Sequence, residues 1–188
     1  MVSWSVAATA SHNCSGRTLA ALQVVLRTAE ETGAETEVRS LAGAESDTAV
    51  LSDVIAALAT ADAAVVGSPV YRASYAAPLK LLLDRLPRGM WRETEAPLQG
   101  KAVAVVLTGA SWHHFLAVNE LRNVLAGFFA AHVVPPGLYL PREGFVSNGS
   151  AALEPSYVER ASLQGRALVE LATALRASTA LAQLTPQA

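Results

Sequence analysis

The sequence has little of several features that define particular classes of protein. It carries one cysteine, Cys14, so no internal disulfide can form, and we expect a reducing, cytoplasmic location. Charged residues make up 16% of the 188 residues, and the formal net charge of -2 offers no basic field to nucleic acid. No apolar run reaches the roughly 18 residues of a membrane-spanning helix, and the N-terminus lacks the basic segment of a secretory signal.

Two nucleotide-binding motifs are also missing. The loop TASHNCSGRT, residues 9–18, matches neither G-x-x-x-x-G-K-[ST] nor G-x-G-x-x-G, which disfavours a nucleoside triphosphatase or a dinucleotide-binding Rossmann domain. No Ser/His/Asp set stands at a recognisable spacing, so we expect no catalytic side chain of that kind. The adjacent His113 and His114 lack an H-E-x-x-H motif or a cysteine or carboxylate cluster, so we expect no metal site.

The sequence does contain a large aliphatic fraction, ordered in alternating segments. Hydrophobic residues make up 52% of the chain, and their spacing switches repeatedly between strand-like and helix-like periods. The predicted strands are residues 2–8, 35–41, 63–67, 101–107 and 133–140, and the predicted helices are residues 17–32, 48–60, 76–86, 115–130 and 156–177. This alternation predicts one α/β domain over residues 1–188, a three-layer sandwich with a five-stranded parallel sheet of order 2-1-3-4-5.

Three loops of this predicted fold are unusually polar. Residues 9–17, 68–75 and 108–114 follow the first, third and fourth strands. In that strand order these ends are neighbours at the switch point of the sheet, where ligands bind in such folds. We therefore expect the three loops to face one shared ligand.

The first polar loop carries the chemistry of a phosphate site. Ser11, Ser15 and Thr18 supply hydroxyl groups. Arg17 supplies positive charge, and the start of the following helix adds a partial one. Gly16 lets backbone N–H groups come close to a ligand. An equally weighted alternative is that Ser15 only caps the helix.

The other two loops fit the edges of a flat ring. Pro69 stiffens the second loop, and Tyr71 offers it a flat apolar face with a polar tip. The third loop, TGASWHH at residues 108–114, can aim backbone donors at a ring edge. The alternative for the second loop is a plain turn, in which Ser74 caps the next helix and Tyr71 packs on the sheet.

Three segments carry longer motifs. GSPVYRASYAAPLKLLLDRLP, residues 67–87, is similar to a signature S-P-V-Y-[KR]-x-[SA]-Y-x-x-x-L-K. GKAVAVVLTGAS, residues 100–111, is similar to G-K-x-V-x-x-x-x-T-G-G-S, and residues 114–140 end in a V-P-x-G-x-Y pattern. Together these segments resemble the NAD(P)H-dependent FMN reductases of the flavodoxin-like superfamily, in particular those that feed reduced flavin to sulfonate-type monooxygenases. The likeness covers roughly residues 2–175.

The resemblance implies a flavodoxin-like fold, FMN as the flavin, and NADH or NADPH as hydride donor. Hydride would pass from nicotinamide C4 to flavin N5, so no side-chain acid or base is needed. Ser11, Arg17 and Thr18 would hold the FMN phosphate, with Ser15 as a further candidate. The second and third loops would border the ribityl chain and the ring through Pro69, Val70, Tyr71, Arg72, Ser74, Thr108, Gly109, Ala110 and Ser111. The sequence departs from the family pattern at Ala10, Gly16 and Ala110.

The resemblance also implies an assembly. Members of the family are homodimers or homotetramers, and a flavin-dependent monooxygenase is the expected partner. The third and fourth helices carry more apolar surface than one sheet face needs, at Leu79, Leu82, Leu83, Leu86, Leu121, Val124, Leu125 and Phe128. This excess fits dimerisation, although core packing explains part of it.

Two other functions stay open from the sequence. Tightly bound FMN could reduce a quinone, an azo dye or chromate instead of leaving with its electrons. A non-catalytic protein, either a one-electron carrier or a binding module that has lost its flavin, is the third interpretation. The net charge of -2 disfavours the carrier, because such proteins dock through strongly acidic surfaces.

Overall fold

A computed structural model describes residues 6–9, 16–146 and 150–186 of the chain, with side chains from Gly16 onward. The helices in these ranges are α1 (Arg17–Glu31), α2 (Thr48–Thr60), α3 (Ala77–Arg85), α4 (Ala117–Asn123), α5 (Pro155–Arg176) and α6 (Thr179–Ala182). The strands are β1 (Val6–Thr9), β2 (Glu37–Ser40), β3 (Ala63–Tyr71), β4 (Ser74–Tyr75), β5 (Ala102–Thr108), β6 (His132–Val133) and β7 (Leu138–Leu140). Short 3-10 turns lie at Trp112–His114 and Arg142–Gly144.

The strands form one mixed sheet that is mostly parallel. Its order is β2-β1-β3-β5-β6, with β7 also parallel to β5 and β4 antiparallel to β3. Thr9 lies opposite Gly67, and Pro69 lies opposite Thr108. The carboxyl ends of β1, β3 and β5 are therefore neighbours, and the chain leaves all three strands at the same edge of the sheet.

Helices cover both faces of the sheet because its central strands are apolar on both sides. Every residue of β5 is buried, as are the first six of β3. Helices α2, α3 and α4 pack on one face around Leu79 and Leu121, and α1 and α5 pack on the other around Leu22 and Leu168. No helix in the described ranges is long and apolar enough to cross a bilayer.

The second polar loop is the first departure from the predicted fold. Strand β3 does not end at Gly67 but continues to Tyr71 and folds back as the antiparallel strand β4. The two-residue turn at Arg72 and Ala73 has positive φ at both positions, 50° and 68°, as in a type I′ hairpin. The sheet is therefore mixed rather than wholly parallel, and the sequence did not predict β4 because the usual Asn-Gly or Gly signal of such a turn is absent.

The predicted fifth strand is the second departure. Residues 133–140 form two short strands, β6 and β7, rather than one. Pro135 and Pro136 stand between them, and proline has no N–H to donate to a strand ladder. The fourth predicted helix also differs, since α4 begins at Ala117 and continues as a π-helix over Val124–Phe128.

The leucines that suggested a dimer surface lie in the core. Leu79, Leu82, Leu83, Leu86, Leu121 and Leu125 are all buried between α3, α4 and the sheet. Val124 is partly buried against the same core, and Phe128 remains 46% exposed. Core packing therefore explains most of the apolar excess, and the homodimer or homotetramer stays a prediction.

Candidate functional site

The three polar loops meet at one cleft of about 380 Å³ at the carboxyl edge of the sheet. The start of α1 forms one side, the end of β3 another, and the loop after β5 the third. Its walls are Gly16, Arg17, Thr18, Pro69, Val70, Tyr71, Thr108, Gly109 and Ala110. Eight of these nine residues are among the predicted binding residues; Gly16 is the addition.

The N-terminus of helix α1 lies at the cleft. Gly16 is its N-cap and has no side chain to bond the first turn. The first backbone bond into the helix runs from Ala20 N–H to Gly16 O, so earlier N–H groups have no intrahelical acceptor. Arg17 adds a guanidinium whose carbon lies 5.2 Å from the centre of the Phe145 ring. The N–H groups of a helix start, the helix dipole and an arginine together favour the binding of an anion.

A hydroxyl pair forms the floor of the cleft between α1 and β5. Thr18 Oγ1 and Thr108 Oγ1 lie 2.7 Å apart, and both residues are buried, with Thr18 3% exposed. Two hydroxyls hold two protons, and their mutual bond uses only one of them. The other proton has no acceptor among the described residues, so it can donate to a ligand.

The hairpin of β3 and β4 supplies the second wall. Tyr71 is 65% exposed, so it does not pack on the sheet as the plain-turn interpretation required. Ser68 Oγ accepts the N–H of Ala76 at 2.9 Å and donates to Pro69 O at 2.8 Å. Because Ala76 is the N-cap of α3, this buried serine ties the hairpin to the helix behind it and fixes the wall.

Tyr139, at the centre of β7, holds the third wall. Its hydroxyl donates to Ser111 O at 2.5 Å, and the neighbouring Leu140 O accepts the N–H of Gly109 at 3.0 Å. A Cβ added at Gly109 would lie 2.1 Å from the Tyr139 hydroxyl oxygen, so only glycine fits there. Burial, followed by the charge of Glu143, raises the pKa of Tyr139, which keeps its hydroxyl protonated as a donor.

The remaining predicted residues lie elsewhere. Arg72 stands at the exposed tip of the hairpin, and Ser74 lines a different opening beside α3. Ser111 is not a wall of the cleft, and its Oγ contacts His113 Nδ1 at 3.1 Å. Ser11 and Ser15 lie outside the described residues.

Sequence reasoning assigned no role to Tyr139. The motif V-P-x-G-x-Y at residues 134–139 was a signal for this tyrosine, but nothing local shows which loop its hydroxyl meets. In the ranges that the structure covers, no three His, Cys, Asp or Glu side chains are grouped as ligands for a metal ion.

A larger opening of about 550 Å³ lies between the hairpin, α3 and α4. Its walls include three carboxylates, Glu45, Asp84 and Glu120, against the single ammonium of Lys80. Lys80 is already engaged, since it pairs with Asp84. The surplus negative charge repels a phosphate, so the smaller cleft at the strand ends is the better candidate for a phosphorylated ligand.

The chain matches known proteins over the segment that forms the cleft. A family model described as NADPH-dependent FMN reductase matches residues 6–144. That range contains every wall of the cleft. The chain belongs to this family. In a curated relative, the NADH-dependent FMN reductase SfnF of Pseudomonas putida, 104 aligned residues are 38% identical and make up 55% of this chain and 51% of the relative. The chain thus matches about half the length of that relative.

Solved structures agree on the architecture. The apo form of the NADH:FMN oxidoreductase EMOB is 25% identical, with a TM-score of 0.71 over 98% of this chain and 95% of that one. A flavodoxin from the domain Archaea, 16% identical, has a TM-score of 0.61 over 94% of this chain and 99% of that chain. The fold of this family member is therefore flavodoxin-like, with a mostly parallel sheet between two helical layers.

Proposed function

We propose that this protein is an NAD(P)H-dependent FMN reductase and that the cleft of about 380 Å³ binds the flavin. The proposal depends on one observation in a member of this family: the two ends of the cleft differ in their chemistry. The N-terminus of α1 and Arg17 stand at one end, and an exposed tyrosine on a hairpin stands at the other. FMN has matching ends, a phosphate and a flat heterocycle.

At the phosphate end, each group has a separate role. The first N–H groups of α1 donate to phosphate oxygens, and the guanidinium of Arg17 balances their charge. The Arg17 guanidinium packs on Phe145, which limits its orientations before any ligand binds. Less side-chain entropy is then lost when the phosphate binds. The spare proton of the Thr18–Thr108 pair donates to an oxygen of the phosphate or of the ribityl chain.

At the ring end, the walls exclude water and orient the heterocycle. Pro69, Val70 and Tyr71 offer apolar surface to the ring. The backbone N–H of Ala110 has no acceptor in the part of the chain that the structure describes, so it can bond a carbonyl on the ring edge. Tyr139 fixes that loop and therefore positions the donor without touching the ring.

The ionisable groups in the cleft fit a reaction that the flavin itself performs. Arg17 and Tyr71 are the only ionisable side chains among the nine wall residues that the structure describes, and none of the nine is a carboxylate or a histidine. When bound, FMN supplies a hydride acceptor at N5 for the nicotinamide C4. The protein then has to hold two rings together and keep water out, which needs no acid or base.

The test is a flavin-dependent oxidation assay. Purified protein is mixed with FMN and either NADH or NADPH, and the nicotinamide absorbance band is followed over time. We expect oxidation that requires both FMN and protein. Equal, slow rates with and without FMN, for both nucleotides, would contradict the proposal.

We further propose that reduced FMN leaves the site for a partner monooxygenase. The support is that its ring wall is exposed, with Tyr71 65% accessible to solvent. Desalting separates this function from that of a quinone, azo-dye or chromate reductase with a resident flavin. After desalting, we expect the yellow colour to be lost and the activity to return when FMN is added. Flavin retained at one molecule per protein chain would instead favour a reductase with a resident flavin.

A further inference from the structure

A second cavity, of about 320 Å³, lies beside the flavin cleft at the open edge of β7. Within the described ranges strand β7 pairs with β5 alone, so its other edge has no strand beside it there. The volume falls at the lower end of the roughly 300–1,000 Å³ of small-molecule sites. The side chains that matter on its walls are Trp112, Phe115, Tyr139, Leu163, Arg160 and Gln164.

The aromatic wall separates this cavity from the flavin cleft. Ala110 lines the cleft and Trp112 lines the cavity, and two residues of backbone span at most about 7 Å. Tyr139 contacts both spaces, since its ring lines the cavity and its hydroxyl abuts Gly109. Its ring packs against Trp112 at 5.8 Å and against Phe115 at 6.3 Å between centroids. The cavity and the flavin cleft are therefore neighbours on the two sides of one aromatic wall.

The cavity has one polar acceptor that lacks a donor. Gln164 is 7% exposed, and its Nε2 donates to Pro135 O at 3.3 Å. A carbonyl oxygen only accepts, so this bond fixes the orientation of the amide and turns Oε1 away from Pro135. Oε1 is buried and finds no partner in the described ranges. An amino group entering the cavity would supply the missing hydrogen bond.

The cavity also has one cation without a counterion. Arg160 is exposed and makes no ion pair with any carboxylate that the structure describes. Its guanidinium lies 5.3 Å from the centre of the Tyr157 ring, which steadies it at the mouth. The cavity thus combines flat apolar walls, a buried acceptor and a positive charge at its entrance.

We propose that this cavity binds the adenine nucleotide half of the hydride donor while the nicotinamide reaches the flavin in the cleft. The proposal rests on the proposed function. The purine packs on Trp112 and Phe115, and its exocyclic amino group donates to Gln164 Oε1. The phosphates face Arg160. Each of the three features of the cavity then has a matching part of one ligand.

The first experiment uses 5′-ADP, which has the adenine nucleotide and lacks nicotinamide. It is titrated into the protein while tryptophan emission is recorded. We expect saturable quenching, loss of most of that signal in Trp112→Phe, and competition between 5′-ADP and the nicotinamide nucleotide in the oxidation assay. No saturable binding below about 10 mM would overturn the proposal, since that affinity is weaker than a single well-made contact provides.

The second experiment compares two arginines on α5. Arg160→Ala removes the cation at the mouth, and Arg166→Ala removes an equally exposed cation that does not line the cavity. We expect Arg160→Ala to weaken 5′-ADP binding and raise KM for the nucleotide about fivefold, with kcat and the FMN Kd unchanged. Arg166→Ala should match wild type. If both variants weaken 5′-ADP binding equally, the loss comes from the total charge of α5, and the assignment of Arg160 is wrong.

A third variant separates the two proposals. Leu163 is 59% exposed at the rim, so Leu163→Asp leaves the core intact and sets a carboxylate against the phosphates. We expect it to abolish 5′-ADP binding and spare FMN binding. If FMN-dependent oxidation is fast and neither 5′-ADP nor Leu163→Asp changes it, the cavity assignment is wrong and the proposed function still stands. Absence of that oxidation in wild type would instead contradict the proposed function.

Discussion

The hydroxyls of Thr18 and Thr108 meet at 2.7 Å although the two residues are 90 positions apart in the chain. This contact joins the first turn of α1 to the last residue of β5. It connects the anion end of the cleft to the wall that carries Gly109 and Ala110. This buried hydrogen bond therefore ties together two walls of the proposed flavin site.

Replacing one threonine should cost more stability than replacing both. Thr18→Val keeps the shape but leaves the Thr108 hydroxyl buried and unpaired, which costs about 1–3 kcal/mol of unfolding free energy. In the double variant Thr18→Val/Thr108→Val no polar group is stranded, so we expect stability to recover toward wild type. Urea unfolding measures this. Thr173→Val, an exposed hydroxyl bonded within its own helix, should change little. Strictly additive losses would contradict the pairing.

Removing the cation of Arg17 should weaken binding of the phosphate and leave the ring unaffected. For Arg17→Gln we expect FMN affinity to fall about tenfold, the scale of one charge-assisted contact. Riboflavin, which lacks the phosphate, should bind wild type and variant equally. Flavin fluorescence quenching gives both constants. Arg27→Gln, on the exposed side of the same helix, is the control. A matching loss for riboflavin would place Arg17 at the ring instead.

Gly109 and Tyr139 should show compensating substitutions. Gly109→Ala places a methyl 2.1 Å from the tyrosine oxygen, and we expect it to cost about 1–3 kcal/mol of stability and most FMN binding. The next atom, Tyr139 Cζ, lies 3.0 Å from that methyl. Gly109→Ala/Tyr139→Phe should therefore recover part of both losses. Thermal unfolding measures the loss of stability, and FMN titration measures the loss of binding. If the double variant recovers neither, the damage from Gly109→Ala does not come from a clash with the Tyr139 hydroxyl.

The hydroxyl of Tyr139 also predicts a difference at alkaline pH. Because burial raises its pKa above the ordinary 10.0, the stability from this group is present in full below about pH 10 and is lost as pH rises through the folded value. Wild type should thus lose more stability than Tyr139→Phe as the pH is raised above about 10. Urea midpoints at each pH measure the difference. Parallel curves would show that this hydroxyl has no altered pKa in the folded state.

The hairpin turn should become more stable with glycine. Ala73 has a φ of 68°, which costs a residue with a side chain about 1 kcal/mol or more. Ala73→Gly removes that strain, partly offset by the greater entropy of glycine in the unfolded chain, so we expect a small gain. Ala56→Gly, the same change in an exposed turn inside α2, should lower stability by about 1 kcal/mol. Opposite signs in urea unfolding are the expected result; two losses would contradict it.

Much of the architecture could be predicted because it depends on local patterns. Apolar runs such as residues 63–66 and 102–107 predicted strands buried on both faces, and helical spacing predicted α1, α2, α3 and α5 closely. Parallel crossovers then force the loops after β1, β3 and β5 to one edge, so the place of the site followed from the alternation alone. The motif at residues 67–87 added the family.

Other features were decided only by contacts between distant residues. The sequence of the hairpin over Val70–Tyr75 carries no turn signal. The backbone strain of its turn is offset by the pairing of β3 with β4 and by the Ser68 bond to Ala76. The role of Tyr139 depends on how β7 lies beside β5, which the prolines before it alter.

Sequence by itself therefore determined which segments are strands and helices and on which edge the polar loops gather. Tertiary structure decided which side chains in those loops face the cleft, as Tyr71 does and Ser74 does not. It also decided that Gln164 of α5, beside a cavity at the sheet edge, has an acceptor that no described residue bonds. The physical reason is that periodicity sets the direction of each residue on its own element, whereas packing between elements sets what that residue meets.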